Sequence, residues 1–198
     1  MNNVVPIDKQ KVKKDLELLE LHIELAGISP VIWRRILIPS TTTLGKLHTV
    51  IQLAFSWRDY HLHEFSIRDK RYGIPDPELN WGEPIRSEKG ILLTRALNNT
   101  DNFKYIYDFG DDWEHIIKVE KRLPYDPDRG LSIMCLEGKN AAPPEDVGGI
   151  PGYEEFVEVM GNSQHPEHHR MLGWYGELFD PTRFDKYVLN SFYFNLKI

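Results

Sequence analysis

Between Tyr105 and Val119 the chain reads YIYDFGDDWEHIIKV, two runs of alternating residues either side of a Gly-Asp-Asp turn. Tyr105, Tyr107 and Phe109 share one face going in, and Trp113, His115, Ile117 and Val119 share one face coming out. Gly110, Asp111 and Asp112 carry the turn chemistry. Such a hairpin commits the middle of the chain to antiparallel pairing. With the turn centred on Asp111 and Asp112, Asp108 faces His115; a slip of one residue makes the two diagonal neighbours. In either register they are expected to form a structural cross-strand pair.

The rest of the sequence fits a globular protein built around this hairpin. Hydrophobic residues make up 41% of 198, enough to bury a substantial core. Residues 1–14 read as a flexible polar arm. Residues 15–198 read as one α+β domain, strand-rich over 15–136 and with loop and helices over 137–198. The lone Cys135 excludes an internal disulfide framework, and neither a secretory signal nor a membrane-length apolar run is present, so a cytoplasmic protein with no membrane partner is expected. A net charge of −6 argues against a large sequence-independent nucleic-acid footprint. Two local basic patches remain, one at Arg34 and Arg35 beside Trp33, the other at Lys118, Lys121 and Arg122; solvated strand faces would explain both.

Along the chain the hydrophobic period changes from two to 3.6. Leu19, Leu21, Ile23 and Leu25 alternate with Glu20, His22 and Glu24, a half-buried antiparallel strand. Val31 to Ile38 forms a second strand ended by Pro39, but Arg34 lies on one face and Arg35 on the other. Alternation therefore leaves its core face open until a bulge or a carboxylate partner decides it. Leu44, Leu47, His48, Ile51 and Phe55 then mark an amphipathic helix capped by Thr42 or Thr43. His48 reads as a hydrogen-bonded histidine at the core boundary. A third strand puts His61, His63, Phe65 and Ile67 on one face. Residues 68–97 read as a long loop with brief elements, anchored by Tyr72, Trp81 and Ile85. After the hairpin come a strand over Ser132 to Leu136, a Pro- and Gly-rich excursion, and helices near Tyr153 and His165. The last helix is expected to have Asp180 as cap, Pro181 at its first position and a Phe179–Phe184 staple. Strands first and helices last describe an α+β fold: a mainly antiparallel sheet, one amphipathic helix packed on it, and a C-terminal group of short helices.

The strings SPVIWRRILIPSTTTLGKLHTVIQLAFSW, HLHEF, YDFGDDWEH, CLEGKNAAPPEDVGGIPGY and FDPTRFD occur in this order. Together they resemble the Ri-plasmid Orf-three-like family, whose members are also labelled insertion-element passenger or TnpR-like proteins. The resemblance runs from about Ile28 to Asn190, with one departure at Ser56, where the family pattern has glycine. It implies an α+β domain with a history on mobile elements and brings no catalytic residues with it. The resolvase suggested by the TnpR label has no counterpart here in a serine-recombinase pattern of nucleophile and arginines.

Three kinds of chemistry are open to these residues. His61, His63, Asp108, Asp111, Asp112 and His115 could hold a divalent cation, since carboxylates suit Mg²⁺ or Mn²⁺ and imidazole the later transition metals; ordinary turn chemistry competes with that reading. Arg34, Arg35 and Lys118 could contact an anionic partner, and Trp57, Tyr107 and Trp113 could line an aromatic pocket, although core packing uses the same residue types. Cys135 reads as a small buried hydrophobe. In the PPEDVGG segment, Glu145 and Asp146 are expected to be solvated or paired with arginine. The reading that follows is a binding or interaction module with a protein or nucleic-acid partner, no assigned catalysis and no expected cofactor. Its rival is a metal-dependent hydrolase, nuclease-like or phosphodiesterase-like, using Asp108, Asp111, Asp112 and His115.

Overall fold

A computed structural model describes residues 16–75, 84–125 and 132–196; the expected N-terminal arm and the anchor Trp81 lie outside them. The fold is α+β. Eight strands form one sheet: β1 (Glu17–Leu25), β2 (Trp33–Pro39), β3 (His63–Ile67), β4 (Lys70–Gly73), β5 (Arg86–Ser87), β6 (Asn102–Tyr107), β7 (Trp113–Pro124) and β8 (Met134–Lys139), in the spatial order β5-β4-β3-β6-β7-β1-β2-β8. Every neighbouring pair is antiparallel except β4 with β5. The helices are α1 (Leu44–Ala54), α2 (Leu93–Leu97), α3 (Gly149–Gly161), α4 (His168–Tyr175) and α5 (Lys186–Phe194). No helix among the described residues is long and apolar enough to cross a membrane.

The period-2 pattern of β1 decides the layering. Leu19, Leu21, Ile23 and Leu25 face a continuous core shared with α1, α3 and α5, while Glu20, His22 and Glu24 lie on the opposite face. Thr43 caps α1, its hydroxyl accepting from the amide of Lys46, and Leu44, Leu47, Val50 and Ile51 bury the stripe that holds the helix on the sheet. Past the helix end, Ser56 takes φ +59. A glycine, which the family resemblance leads one to expect here, would carry no steric penalty in this left-handed conformation because it lacks a Cβ. The stretch of brief elements anticipated before the β6–β7 hairpin is β4, β5 and α2, with Tyr72 and Ile85 buried as anchors.

Arg34 resolves the ambiguity of β2, and without any carboxylate. It lies on the core face opposite Ile23, 2% exposed. Its Nε donates to the carbonyl of Ala54 at 2.9 Å, and Nη1 to those of Trp33 and Lys139 at 2.8 and 2.9 Å. The guanidinium sits over the rings of Phe184 at 4.0 Å and Phe55 at 5.1 Å. A planar fork of donors can saturate several carbonyls at once while its faces pack on aromatic rings. The pairing of β2 with β8 also shifts register between Arg35 and Ile36. Arg35, on the outer face, meets Glu120 and Glu137 at 2.7 Å each and Glu20 at 3.6 Å.

The last helix begins later than its sequence signals suggest. Asp180 accepts from the amide and hydroxyl of Thr182, which closes a turn rather than a helix. Asp185 is the cap of α5, accepting from the amides of Tyr187 and Val188. Phe184 is drawn onto Arg34, so the expected staple with Phe179 does not form; Phe179 packs edge-on against Phe156 instead.

Candidate metal centre

Three segments converge at the tip of the β6–β7 hairpin: residues 57–63 leading into β3, the turn 108–112, and residues 143–149 leading into α3. The turn centres on Gly110. Tyr107 pairs with Trp113 and Tyr105 with His115, so the expected Asp108–His115 pair is absent. The displacement follows from Asp108 itself. Its Oδ1 accepts from the amides of Gly110 and Asp111 at 2.9 and 3.3 Å, and its carbonyl accepts from the amide of Asp112. A side chain that nucleates its own turn ends the strand one residue earlier. His115 is fully buried. Its Nδ1 donates to the Trp113 carbonyl at 3.0 Å, Nε2 makes no well-formed hydrogen bond among the described residues, and burial holds its pKa down to about 3.

Three aromatic residues considered for a pocket form the floor of this region instead. Trp57 stacks on Tyr107 with centroids 5.0 Å apart and on Trp113 at 6.1 Å, and all three are buried. Trp57 Nε1 donates to the Pro143 carbonyl. The Tyr107 hydroxyl accepts from the amides of Tyr60 and His61 and donates to Glu145 Oε1 at 2.5 Å. Glu145 Oε2 accepts from the Arg58 amide. The PPEDVGG excursion is therefore bolted to the hairpin floor, and Glu145 is paired with tyrosine and backbone rather than with an arginine side chain. Asp111 completes the attachment: its Oδ2 accepts from the amide of Gly148, the residue preceding α3, where a helix N-terminus favours negative charge.

Above this floor, His61, Asp108 and Asp146 bring one donor atom each to within 4.8 Å of the others. His61 Nε2 lies 3.0 Å from Asp146 Oδ1 and 3.4 Å from Asp108 Oδ2. Neither carboxylate is aligned for a hydrogen bond, and the nitrogen is buried without one among the described residues. Asp108 and Asp146 both take left-handed backbone, φ +56 and +59, a conformation aspartate tolerates better than most residues. The site is open on one side, since Asp146 is exposed. It adjoins a groove of about 430 Å³ lined by Phe55, Arg58, Tyr60, Pro143, Asp146 and Trp174 among others.

His63 belongs to a different cluster. Its ring stacks on His48 with centroids 3.6 Å apart and planes 10° off parallel. His63 Nε2 contacts Glu88 Oε2, and His48 contacts Asp59 through Nε2 and the Tyr105 hydroxyl through Nδ1. Gln52 ties the group together, donating to the Tyr105 hydroxyl and accepting from the Asp59 amide. The Asp59 carboxylate only accepts, so His48 Nε2 carries the proton that faces it, and neutral His48 accepts at Nδ1 from the Tyr105 hydroxyl, which accepts in turn from Gln52. Burial, reinforced by His63, holds the His48 pKa down. Although His48, Asp59 and His63 also offer clustered donor atoms, face-to-face rings aim their lone pairs along parallel directions and not at one point. The cluster is hydrogen-bonded on every ring nitrogen except His63 Nδ1, which is buried without a hydrogen bond among the described residues.

Of the six residues considered for a cation, the structure thus brings His61 and Asp108 together. It assigns Asp111 to the α3 terminus, His63 to the histidine stack and His115 to the core; Asp112 sits at the turn with φ +56, outside the converging donors. Asp146 was missed as a partner. Its signal was the Glu-Asp-Val-Gly-Gly turn, which places a left-handed aspartate at the tip of an otherwise proline-stiffened loop. Of the residues considered for an anionic partner, Arg34 is consumed by carbonyls and Arg35 by glutamates. Lys121 meets Glu20 at 2.8 Å and Arg122 meets Asp101 at 2.8 Å. Lys118 is exposed and makes no ion pair among the described residues. Cys135 is buried, with its thiol pKa pushed up to about 11 by desolvation.

The hairpin, the His61 segment and the excursion all lie within the span matched by the family of plasmid pRiA4b ORF-3-like proteins, residues 17–187. The chain belongs to that family. The uncharacterized protein y4hQ of Sinorhizobium fredii (strain NBRC 101917 / NGR234) is 40% identical over 161 residues, covering 80% of this chain and 81% of its own length. The crystal structure of MM3350 from Methanosarcina mazei Go1, a protein of unknown function, superposes with a TM-score of 0.76 at 38% identity, covering 87% of this chain and 97% of that one.

Proposed function

We propose that this chain is a metal-dependent binding module, with a divalent cation held by His61, Asp108 and Asp146 and an anionic or oxygen-donating ligand entering from the adjoining groove. The observation that carries this reading is His61 Nε2, buried and without a hydrogen bond among the described residues, set 3.0 Å from Asp146 Oδ1 and 3.4 Å from Asp108 Oδ2. One imidazole and two carboxylates suit Mn²⁺, Fe²⁺ or Zn²⁺ and neutralise the charge of the ion. Three protein ligands leave coordination positions for an incoming oxygen donor, and Arg58 on the groove wall provides a positive counter-charge. A nucleic-acid partner engaged through Arg34 and Arg35 finds less support, because both guanidinium groups are already committed. The hydrolytic alternative draws on this same centre, since His115 is walled into the core; a bound ion would then act as the Lewis acid.

Isothermal titration of the metal-free protein with Mn²⁺ and Zn²⁺ tests the reading. One equivalent should bind, and Asp146→Asn, a change at an exposed position, should weaken binding at least about tenfold, as the loss of a charged ligand does. In a proton-only pair, ¹⁵N chemical shifts of His61 would respond to pH and not to metal; that result, or equal affinity in Asp146→Asn, would sink the proposal. Turnover of bis(p-nitrophenyl) phosphate by the Mn²⁺-loaded protein, absent in Asp146→Asn, would extend binding to hydrolysis.

A further inference from the structure

A second cavity lies on a different part of the molecule and shares no residue with the metal centre. It occupies about 310 Å³ between the turn joining β1 to β2, the first turns of α3, and the segment before α5. Ile28, Pro30, Val157 and the ring of Tyr153 make its walls apolar. Two carboxylates, Glu154 and Glu158, stand one helical turn apart at its edge. Both are exposed and neither makes an ion pair among the described residues. α3 contains no basic residue and carries a third acid, Glu155, so nothing on the helix neutralises this edge. Tyr153 is 6% exposed, and its hydroxyl makes no hydrogen bond among the described residues.

We infer that this cavity binds a small organic cation, a protonated amine carried on an apolar alkyl or aryl body. Its size lies at the lower end of ligand pockets, which favours a small molecule. Apolar walls take the body, and the paired glutamates attract the ammonium while repelling carboxylates and phosphates of similar shape. Tyr153 lines the cavity, where an aromatic ring adds attraction for a cation, and its hydroxyl can accept one of the ammonium protons. An apolar cavity with uncompensated acids at its edge and a phenol hydroxyl that makes no hydrogen bond among the described residues combines the features such a ligand needs.

Titrating the full chain with 2-phenylethylammonium, 2-phenylethanol and phenylacetate, monitored by amide chemical shifts, separates the terms. The ammonium should perturb Tyr153 and Val157 and bind tighter than the alcohol by roughly fivefold or more, the worth of one or two partly exposed ion pairs. Phenylacetate should bind most weakly. The double variant Glu154→Gln, Glu158→Gln should erase the preference for charge while retaining the apolar affinity, and Val157→Trp, at a half-buried position, should abolish binding of all three. Equal affinity for ammonium and alcohol, preference for phenylacetate, shifts confined to other residues, or an ammonium preference that survives in the double variant would each overturn the inference. Because the double variant changes only exposed side chains, it decides the matter even if Val157→Trp fails to fold.

Discussion

At the scale of single residues, burial turns groups that look reactive in sequence into structural ones. His115 has a pKa lowered from 6.5 to about 3 chiefly by desolvation. A base whose folded pKa is lowered binds its proton more readily in the unfolded chain. Stability therefore rises with pH between those two values and is lost as pH falls through them, by on the order of 5 kcal/mol over the full window. His48, also lowered by burial, contributes with the same sign. Denaturant unfolding from pH 7 to pH 5 should show stability decreasing toward acid, and His115→Leu should reduce that slope by about 1 kcal/mol per pH unit. Identical slopes in the two proteins would mean that His115 is not the buried neutral base described. Arg34 illustrates the same theme with a cation, its pKa lowered to about 10 by burial while three carbonyls and two rings occupy the group.

The coupling between elements is concentrated where α3 begins. Gly148 donates to Asp111, and Gly149, at φ +67, brings its Cα so close to the hairpin turn that an added Cβ would stand 2.8 Å from the Asp111 carbonyl oxygen. That contact is with backbone on both sides and cannot be relieved by rotating a side chain. Gly149→Ala should therefore cost about 2 kcal/mol, from left-handed strain together with displacement of the turn. It should also lower affinity for Mn²⁺ without touching a ligand, because the turn carries Asp108 and the excursion carries Asp146. Equilibrium unfolding and the metal titration measure the two effects; a loss of stability below about 0.5 kcal/mol, the range of neutral surface changes, would contradict the close approach.

For the molecule as a whole, the sheet has two edges, and the one formed by β8 is covered by α5. The Asn190 side-chain amide accepts from the Cys135 amide at 2.7 Å and donates to the Cys135 carbonyl at 3.0 Å, and Lys186 Nζ donates to the Leu136 carbonyl. A side chain thereby takes the hydrogen bonds that a ninth strand would otherwise seek, which blunts an edge open to intermolecular pairing. Cys135 lies beneath this cover, so its thiol reports on it. The thiol should resist Ellman's reagent at pH 8 in the native protein, and Asn190→Ala should raise its labelling rate by about tenfold, as two lost hydrogen bonds make opening of α5 easier. An unchanged rate would show that Asn190 does not hold the helix in place.

Short-range patterns were legible because their causes are local. Alternation in β1 and the hairpin, the Thr43 cap and helical stripe of α1, and the order of strands before helices follow from backbone periods and neighbouring side chains, and they were sufficient for the α+β fold. Where two local signals competed, the sequence could not choose. Asp108 could pair across the ladder or nucleate its own turn, Asp180 could cap a helix or a turn, and Arg34 and Arg35 gave β2 two equivalent faces. Tertiary packing decided each case by supplying what no neighbour in sequence reveals: carbonyls of Ala54 and Lys139 for Arg34, the ring of Phe184 above it, and an α3 terminus for Asp111. The candidate metal centre belongs partly to each category: His61 and Asp108 were legible as candidates by residue type, while Asp146 and the grouping itself were not. His61, Asp108 and Asp146 come from three separate segments, and only the close packing of α3 against the hairpin brings their donor atoms to one point.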